Sequence, residues 1–258
     1  MSAGSSTSSG PSERFSVRVG ALAVAGVLHL PPSRPAPCVV ACHGLGASKD
    51  SDKYLLLGRL LPEAGFALAR FDFRGAGESG GSYRDATIAG RITDLEAVLE
   101  HLTCHSALSG RFGLLGSSLG GFIALHAVHR RRAPGTCVVV TWNAPAALRD
   151  LEAREMSEST GLGPALVAEV RAGAHAEAPR GVSHVLVIQG EADEVVPPAQ
   201  GQVLYDRARE PRALHWIRGA DHRLSDMAHR MDAAERSRGW MTKHLGKASR
   251  DDQPPAPD

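Results

Sequence analysis

Charge of one sign, cysteine and long apolar runs are all scarce in this sequence, and each shortage excludes something. Lysine and arginine number 29 against 28 aspartates and glutamates, a formal net charge of +1. No overall field therefore draws in nucleic acid or an anionic membrane surface. A small or neutral substrate suits that balance better than a polyanion. The four cysteines, Cys38, Cys42, Cys104 and Cys137, form no C-x-x-C pair and share no regular spacing. They read as reduced thiols of a cytoplasmic protein rather than as a disulfide framework. No stretch approaches the ~18 apolar residues of a membrane span, so no membrane insertion is expected. The opening MSAGSSTSSGPSER lacks a basic segment followed by an apolar one, and no secretory leader is expected there.

What is present is the composition of a globular domain, 43% hydrophobic and 22% charged over 258 residues, enough for one sizeable core. The Ser/Gly-rich residues 1–13 and the Pro/Asp-rich residues 247–258 carry too little apolar surface to order themselves. Between them, over 14–246, short β-branched runs alternate with helical patterns. Strands are predicted over 15–19 and 22–30 (a hairpin through Gly20), 37–42, 66–73, 111–116, 137–142, 184–189 and 214–218. Helices are predicted over 54–64, 88–102, 119–130, 198–207 and 224–245. Continuous apolar strands separated by helices imply an α/β fold, about eight strands in a mostly parallel sheet with helices on both faces. Residues 147–181 break the alternation, with Gly161, Gly163 and Pro164 amid Ala, Glu and Arg. That segment fits a small cap of one or two short helices, and equally one crossover helix with a long loop.

Ligands of such sheets bind at the carboxyl ends of the strands, and the chemistry-bearing residues fall there. Gly116-Ser117-Ser118-Leu119-Gly120 is a G-x-S-x-G between a strand and a helix. A sharp strand-to-helix turn lifts the Ser118 hydroxyl above the sheet, and small residues two positions either side let strand and helix approach. Ser117 does not fit this frame, because its flanking positions would be Leu115 and Leu119. A serine hydroxyl needs a base, and the base a carboxylate, in chain order Ser, Asp or Glu, His. The run 185–190 ends in Glu191-Ala192-Asp193-Glu194, and the run 214–218 leads to Asp221-His222. Asp193 is preferred because Gly190 and Pro197 frame its turn. His222 is preferred because it alone among the histidines stands between the last strand and the last helix. Asp221 is assigned a structural role, capping the final helix or forming a salt bridge. Two backbone donors are needed for an oxyanion: Leu119, after the nucleophile, and Leu45, in His43-Gly44-Leu45-Gly46 after the 37–42 strand. His43 is expected to brace that loop rather than to move protons.

These blocks, with Phe71-Asp72-Phe73-Arg74-Gly75-Ala76-Gly77-Glu78-Ser79, Gly190-Glu191-Ala192-Asp193 and Gly219-Ala220-Asp221-His222, resemble the motif set of the α/β-hydrolase superfamily. They come in its order and cover most of 15–245. The sequence looks like the small-capped branch that includes feruloyl- and cinnamoyl-esterase-like enzymes and serine aminopeptidase-like (S33-type) hydrolases. The resemblance implies an α/β-hydrolase fold, a catalytic triad of Ser118, Asp193 and His222, and an oxyanion hole at Leu45 and Leu119. It implies structural roles for Asp72 and Arg74. An aspartate in place of Ser118 would have pointed to dehalogenase or epoxide-hydrolase chemistry instead.

The activity expected is cleavage of a carboxylic ester of a small acyl substrate through an acyl-enzyme, with no cofactor and no metal. His101, Cys104 and His105 have a metal-like spacing but read as a helix-end cluster. The alternatives are an aminopeptidase or amidase, for which Glu152, Glu155, Glu158 and Glu169 would hold the substrate's ammonium, and a non-catalytic ligand-binding homologue. The long closing helix offers a face for a homodimer, and composition does not choose between dimer and monomer.

Overall fold

The computed structural model describes residues 11–130, 136–148 and 163–246. Eight strands, β1 (Ser12–Val19), β2 (Leu22–His29), β3 (Ala36–Cys42), β4 (Ala67–Phe71), β5 (Leu108–Ser117), β6 (Thr136–Trp142), β7 (Val185–Gly190) and β8 (Arg212–Ile217), form one sheet in the order β1-β2-β4-β3-β5-β6-β7-β8. β1, β2 and β4 pair antiparallel, and every pairing from β4 to β8 is parallel. The α/β architecture read from the alternation is therefore the observed one, antiparallel start included. β1 begins inside the expected N-terminal tail, because Ser12 and Glu13 find ladder partners in His29 and Leu28. The rest of that tail, 1–10, and all of 247–258 lie outside the described residues.

Two cores form because the central strands are apolar on both faces. On one face β3, β5 and β6 pack through Cys38, Val40, Phe112 and Val139 against α2 (Ile88–Thr103) and α3 (Leu119–His129). On the other, Leu115, Val140 and Trp142 meet α1 (Asp52–Glu63) and the closing helix, which carries Ala233 and Met241. Trp142 is wholly buried, and its indole N–H donates to Ser237 Oγ at 2.9 Å, so the largest side chain of this core carries no orphaned donor. Cys38 and Cys42, on β3, are buried free thiols, and burial pushes the Cys38 thiol up to about 12. Cys104 is an exposed free thiol, and the Cys137 side chain lies outside the described residues.

In the expected cap segment, α4 (Pro164–Arg171) is the described helix, with proline at its start where no amide donor is needed. Its Gly163 lies so close to the short 3₁₀ turn Tyr83–Asp85 that a Cβ would stand 2.5 Å from the Tyr83 carbonyl oxygen. Residues 149–162 lie outside the described residues, so the choice between cap and crossover loop stays open there. The fold closes with α5 (Ala199–Arg207) and α6 (Met227–His244). No helix among the described residues is long and apolar enough to cross a membrane.

Candidate active site

Ser118 sits at the end of β5 with φ +54° and ψ −129°, a backbone conformation that L-residues rarely adopt. The turn is held by Ser118 N–H donating to the Trp142 carbonyl at 2.8 Å and by Gly121 N–H donating back to the Ser118 carbonyl at 3.0 Å. A Cβ on Gly116 would lie 2.4 Å from the Gly120 carbonyl carbon, and one on Gly120 would lie 2.1 Å from the Cys42 carbonyl oxygen. Both clashes are with backbone, so neither can be relieved by a rotamer change. Gly120→Ala is expected to destabilise the fold by about 1–3 kcal/mol and to displace the Ser118 turn. Denaturant midpoints with unchanged slope would measure the first, and slower labelling of Ser118 by a fluorophosphonate probe the second.

His222 follows β8, and its Nε2 stands 3.1 Å from Ser118 Oγ. Its Nδ1 faces both carboxylate oxygens of Asp193, at 3.0 and 2.9 Å. The Asp193 side chain is fully buried, which would be costly for a charge without partners. It accepts from the amides of Val195 (2.9 Å) and Val196 (2.7 Å), the tight turn that a one-carbon-shorter acid can make and a glutamate cannot. Glu191 is exposed, and Glu194 instead accepts the His222 backbone N–H at 3.3 Å. The three residues singled out in the sequence thus meet across three strand ends.

Leu45 and Leu119 line the cleft beside Ser118. A Cβ on Gly44 would come 3.0 Å from Ser118 Cβ, so the loop after β3 lies directly against the serine. Among the described residues the N–H groups of Leu45 and Leu119 donate to no other protein group. His43 is buried beneath that loop; its Nε2 accepts the Phe73 N–H at 2.9 Å and its Nδ1 lies 2.8 Å from the Gly44 carbonyl. Those partners require a neutral ring with the proton on Nδ1, and burial pushes its pKa down to about 4. Bracing, as read from the sequence, is what this geometry provides.

Asp72 accepts from Lys49 N–H, Lys49 Nζ and Glu78 N–H, and Arg74 forks onto the buried Asp94. These bonds hold the loop after β4 in shape. Asp221 accepts from the Ser225 amide and hydroxyl, so it closes the turn ahead of α6, whose N-cap is Asp226. Glu169 accepts from the Ile88 and Ala89 amides at the start of α2, away from the cleft, while Glu152, Glu155 and Glu158 lie outside the described residues. His101 stacks on Phe15 and His105 bonds Glu13. Among the described residues no group of three or more His, Cys, Asp and Glu is arranged to hold a metal ion.

Burial likewise pushes His126 down to about 4. With 6.5 as the unfolded value, the unfolded chain binds more protons than the folded one between those two pH values. Stability therefore falls as pH drops from about 6.5 toward 4, by roughly 2 kcal/mol per histidine at pH 5. Denaturation at pH 7 and pH 5 should show this loss, and His126→Gln should make it smaller.

Two functional positions escaped sequence reasoning. Asn143, at the end of β6 with φ +50°, donates from Nδ2 to the Asp221 and His222 carbonyls (3.1 and 2.9 Å) and accepts the Gly190 N–H on Oδ1 (2.7 Å). The strand-end rule applied to β6 would have pointed to it. Lys53, in the first turn of α1, reaches the cleft and donates to Ser117 Oγ at 2.9 Å. No motif marks it.

This architecture is that of the α/β-hydrolase fold, and the motifs resemble those of that superfamily. Residues 33–157 match the family model described as Serine aminopeptidase, S33. Over 181 residues the chain is 28% identical to the uncharacterized protein YfhR of Escherichia coli (strain K12); the match covers 70% of this chain and 61% of that protein's length. Among solved structures it resembles Est1E of Butyrivibrio proteoclasticus with ferulic acid bound. That pair gives a TM-score of 0.75 at 18% identity, covering 90% of this chain and 100% of the other. It also resembles an esterase of Pyrococcus furiosus, with a TM-score of 0.72 at 21% identity and 92% of each chain covered.

Proposed function

We propose that the chain is a serine hydrolase that cleaves a carboxylic ester of a small acyl compound, with Ser118 as nucleophile, His222 as base and Asp193 as its orienting acid. The observation that carries this reading is the unbroken run of hydrogen-bonding distances from Ser118 Oγ through His222 to buried Asp193, opening on a cleft of about 660 Å³. Ser118 Oγ attacks the carbonyl carbon as His222 Nε2 takes its proton, while Asp193 holds the ring with Nδ1–H toward its carboxylate. The oxyanion that forms is stabilised by the amides of Leu45 and Leu119. As the intermediate collapses, His222 returns the proton to the departing alcohol, leaving the acyl group on Ser118. Water, deprotonated by the same nitrogen, then releases the acid and restores the serine.

An aminopeptidase reading has the family description in its favour. It would need carboxylates to hold an ammonium group, whereas among the described residues the charged groups flanking the triad in the cleft are Lys53, Arg223, Arg230 and one carboxylate, Asp52. Ester hydrolysis fits that lining better. The test compares p-nitrophenyl acyl esters with aminoacyl-anilides, alongside a fluorophosphonate probe. Ester turnover with probe labelling that disappears in Ser118→Ala is the expected result. Anilide turnover alone would replace the reading, and labelling that persists in Ser118→Ala would end it.

A further inference from the structure

One side of the cleft holds more positive charge than its surroundings neutralise. Lys53 Nζ comes from the first turn of α1 and is held by the Ser117 hydroxyl, a neutral partner, next to the nucleophile in sequence. Arg223 follows His222, faces the same cleft, and forms no hydrogen bond or ion pair among the described residues. Arg230, on α6, donates to the Leu224 and Ser225 carbonyls and meets Asp52 at 3.5 Å. Among the described residues Asp52 is the single carboxylate lining this wall, and its side chain is 80% exposed, so water screens it strongly. Among the described residues three cations therefore line the cleft with one solvated acid, Asp221 and Asp193 offsetting part of their charge and the N-terminal end of the α1 dipole adding to it.

Burial near the site makes this costly, first by desolvating Lys53 and then through repulsion from Arg230, and the ammonium is pushed down to about 8. A group held so close to its neutral form, with no carboxylate bonded to it among the described residues, is placed to be compensated by something that enters. The geometry fits an anion arriving with the substrate, because the same cleft contains Ser118 and His222.

We infer that the preferred ester carries a carboxylate a few atoms from its scissile carbonyl, bound between Lys53 on α1 and Arg223 and Arg230 beyond β8. This rests on Ser118 being the nucleophile of an ester hydrolase. Short dicarboxylic acid half-esters have the required shape. Their free carboxylate receives charge-assisted hydrogen bonds that a neutral acyl chain of the same length cannot accept.

The test pairs mono-p-nitrophenyl glutarate with p-nitrophenyl pentanoate on the full chain, with Ser118 labelling by a fluorophosphonate probe as control. The expected kcat/KM ratio favours the glutarate ester by about ten- to hundredfold. That ratio should shrink as salt is raised, and drop several-fold in Lys53→Met and in Arg223→Met. It should also decline as pH rises through about 8, where Lys53 loses its charge. Arg230 and Arg223 oppose that charge, and Asp221 and Asp193 favour it.

A ratio at or below one, on a chain that cleaves the pentanoate ester and is labelled at Ser118, overturns the carboxylate inference and leaves the hydrolase reading standing. Cleavage of neither ester, with no labelling, overturns both. A high ratio unmoved by both substitutions removes the assignment to these residues. Slowing of probe labelling by glutarate, and not by pentanamide, reads the same site without turnover and without any variant.

Discussion

Ser118→Ala is expected to lower kcat for a small ester on the order of 10⁶-fold, leaving only what the oxyanion donors and binding supply. The size of the loss follows from the geometry. Ser118 Oγ is the hydroxyl at hydrogen-bonding distance from His222 Nε2, and its neighbour Ser117 turns its own Oγ to Lys53. Among the described residues no second serine lies at hydrogen-bonding distance from His222 Nε2. The structural cost is small by comparison: one hydrogen bond, worth about 1 kcal/mol, at a turn held by backbone contacts that alanine keeps. Circular dichroism and thermal melting close to wild type, with turnover gone, is the outcome to measure. Residual activity within about a hundredfold of wild type would place the nucleophile elsewhere.

Asp193→Asn should cost about 10⁴-fold in kcat, with KM little changed. The asparagine is nearly isosteric, and its oxygen can still accept from the Val195 and Val196 amides. Its amide nitrogen then faces His222 Nδ1 as a donor, so the ring turns its proton to Nε2. The nitrogen beside Ser118 is thereby occupied and cannot take the hydroxyl proton. A purely structural role for Asp193 would lower stability and spare kcat in the molecules that remain folded. Measuring kcat per labelled active site separates the two, and a merely twofold loss would sink the orienting role.

Much of this molecule is legible in the sequence because its signals are local. An apolar run such as PCVVAC has no polar position to face water, so it belongs in the middle of a sheet, where β3 lies. Gly116 and Gly120 report a close approach of backbones, which the structure shows at 2.4 and 2.1 Å for the missing Cβ atoms. Asp193 and His222 each follow a strand, and parallel strands deliver their carboxyl ends to one edge. Lys53 was not legible for the opposite reason. A lysine in the first turn of a surface helix looks like a solvated charge, and only the packing of α1 against β4 and α6 brings it within reach of Ser117 at the end of β5. Asn143 was hidden by its residue type: an asparagine after a strand suggests a turn, whereas here its side chain bonds two other loops. Strand edges were misjudged by a few residues where ladder pairing extended them, as at β5, read over 111–116 and observed over Leu108–Ser117.

The amide of Asn143 has a consequence for how such a protein can change. By bonding the Gly190 amide and the Asp221 and His222 carbonyls, it splices the ends of β6, β7 and β8 into one frame. The backbone of the histidine is then held by bonds in which Lys53, Arg223 and Arg230 take no part. Reaction machinery and substrate wall are separable parts, and substitutions on the wall can accumulate without retuning the proton relay. A lineage, or an engineer, can exchange one substrate for another by working on α1 and the start of α6, provided Asn143 is left in place.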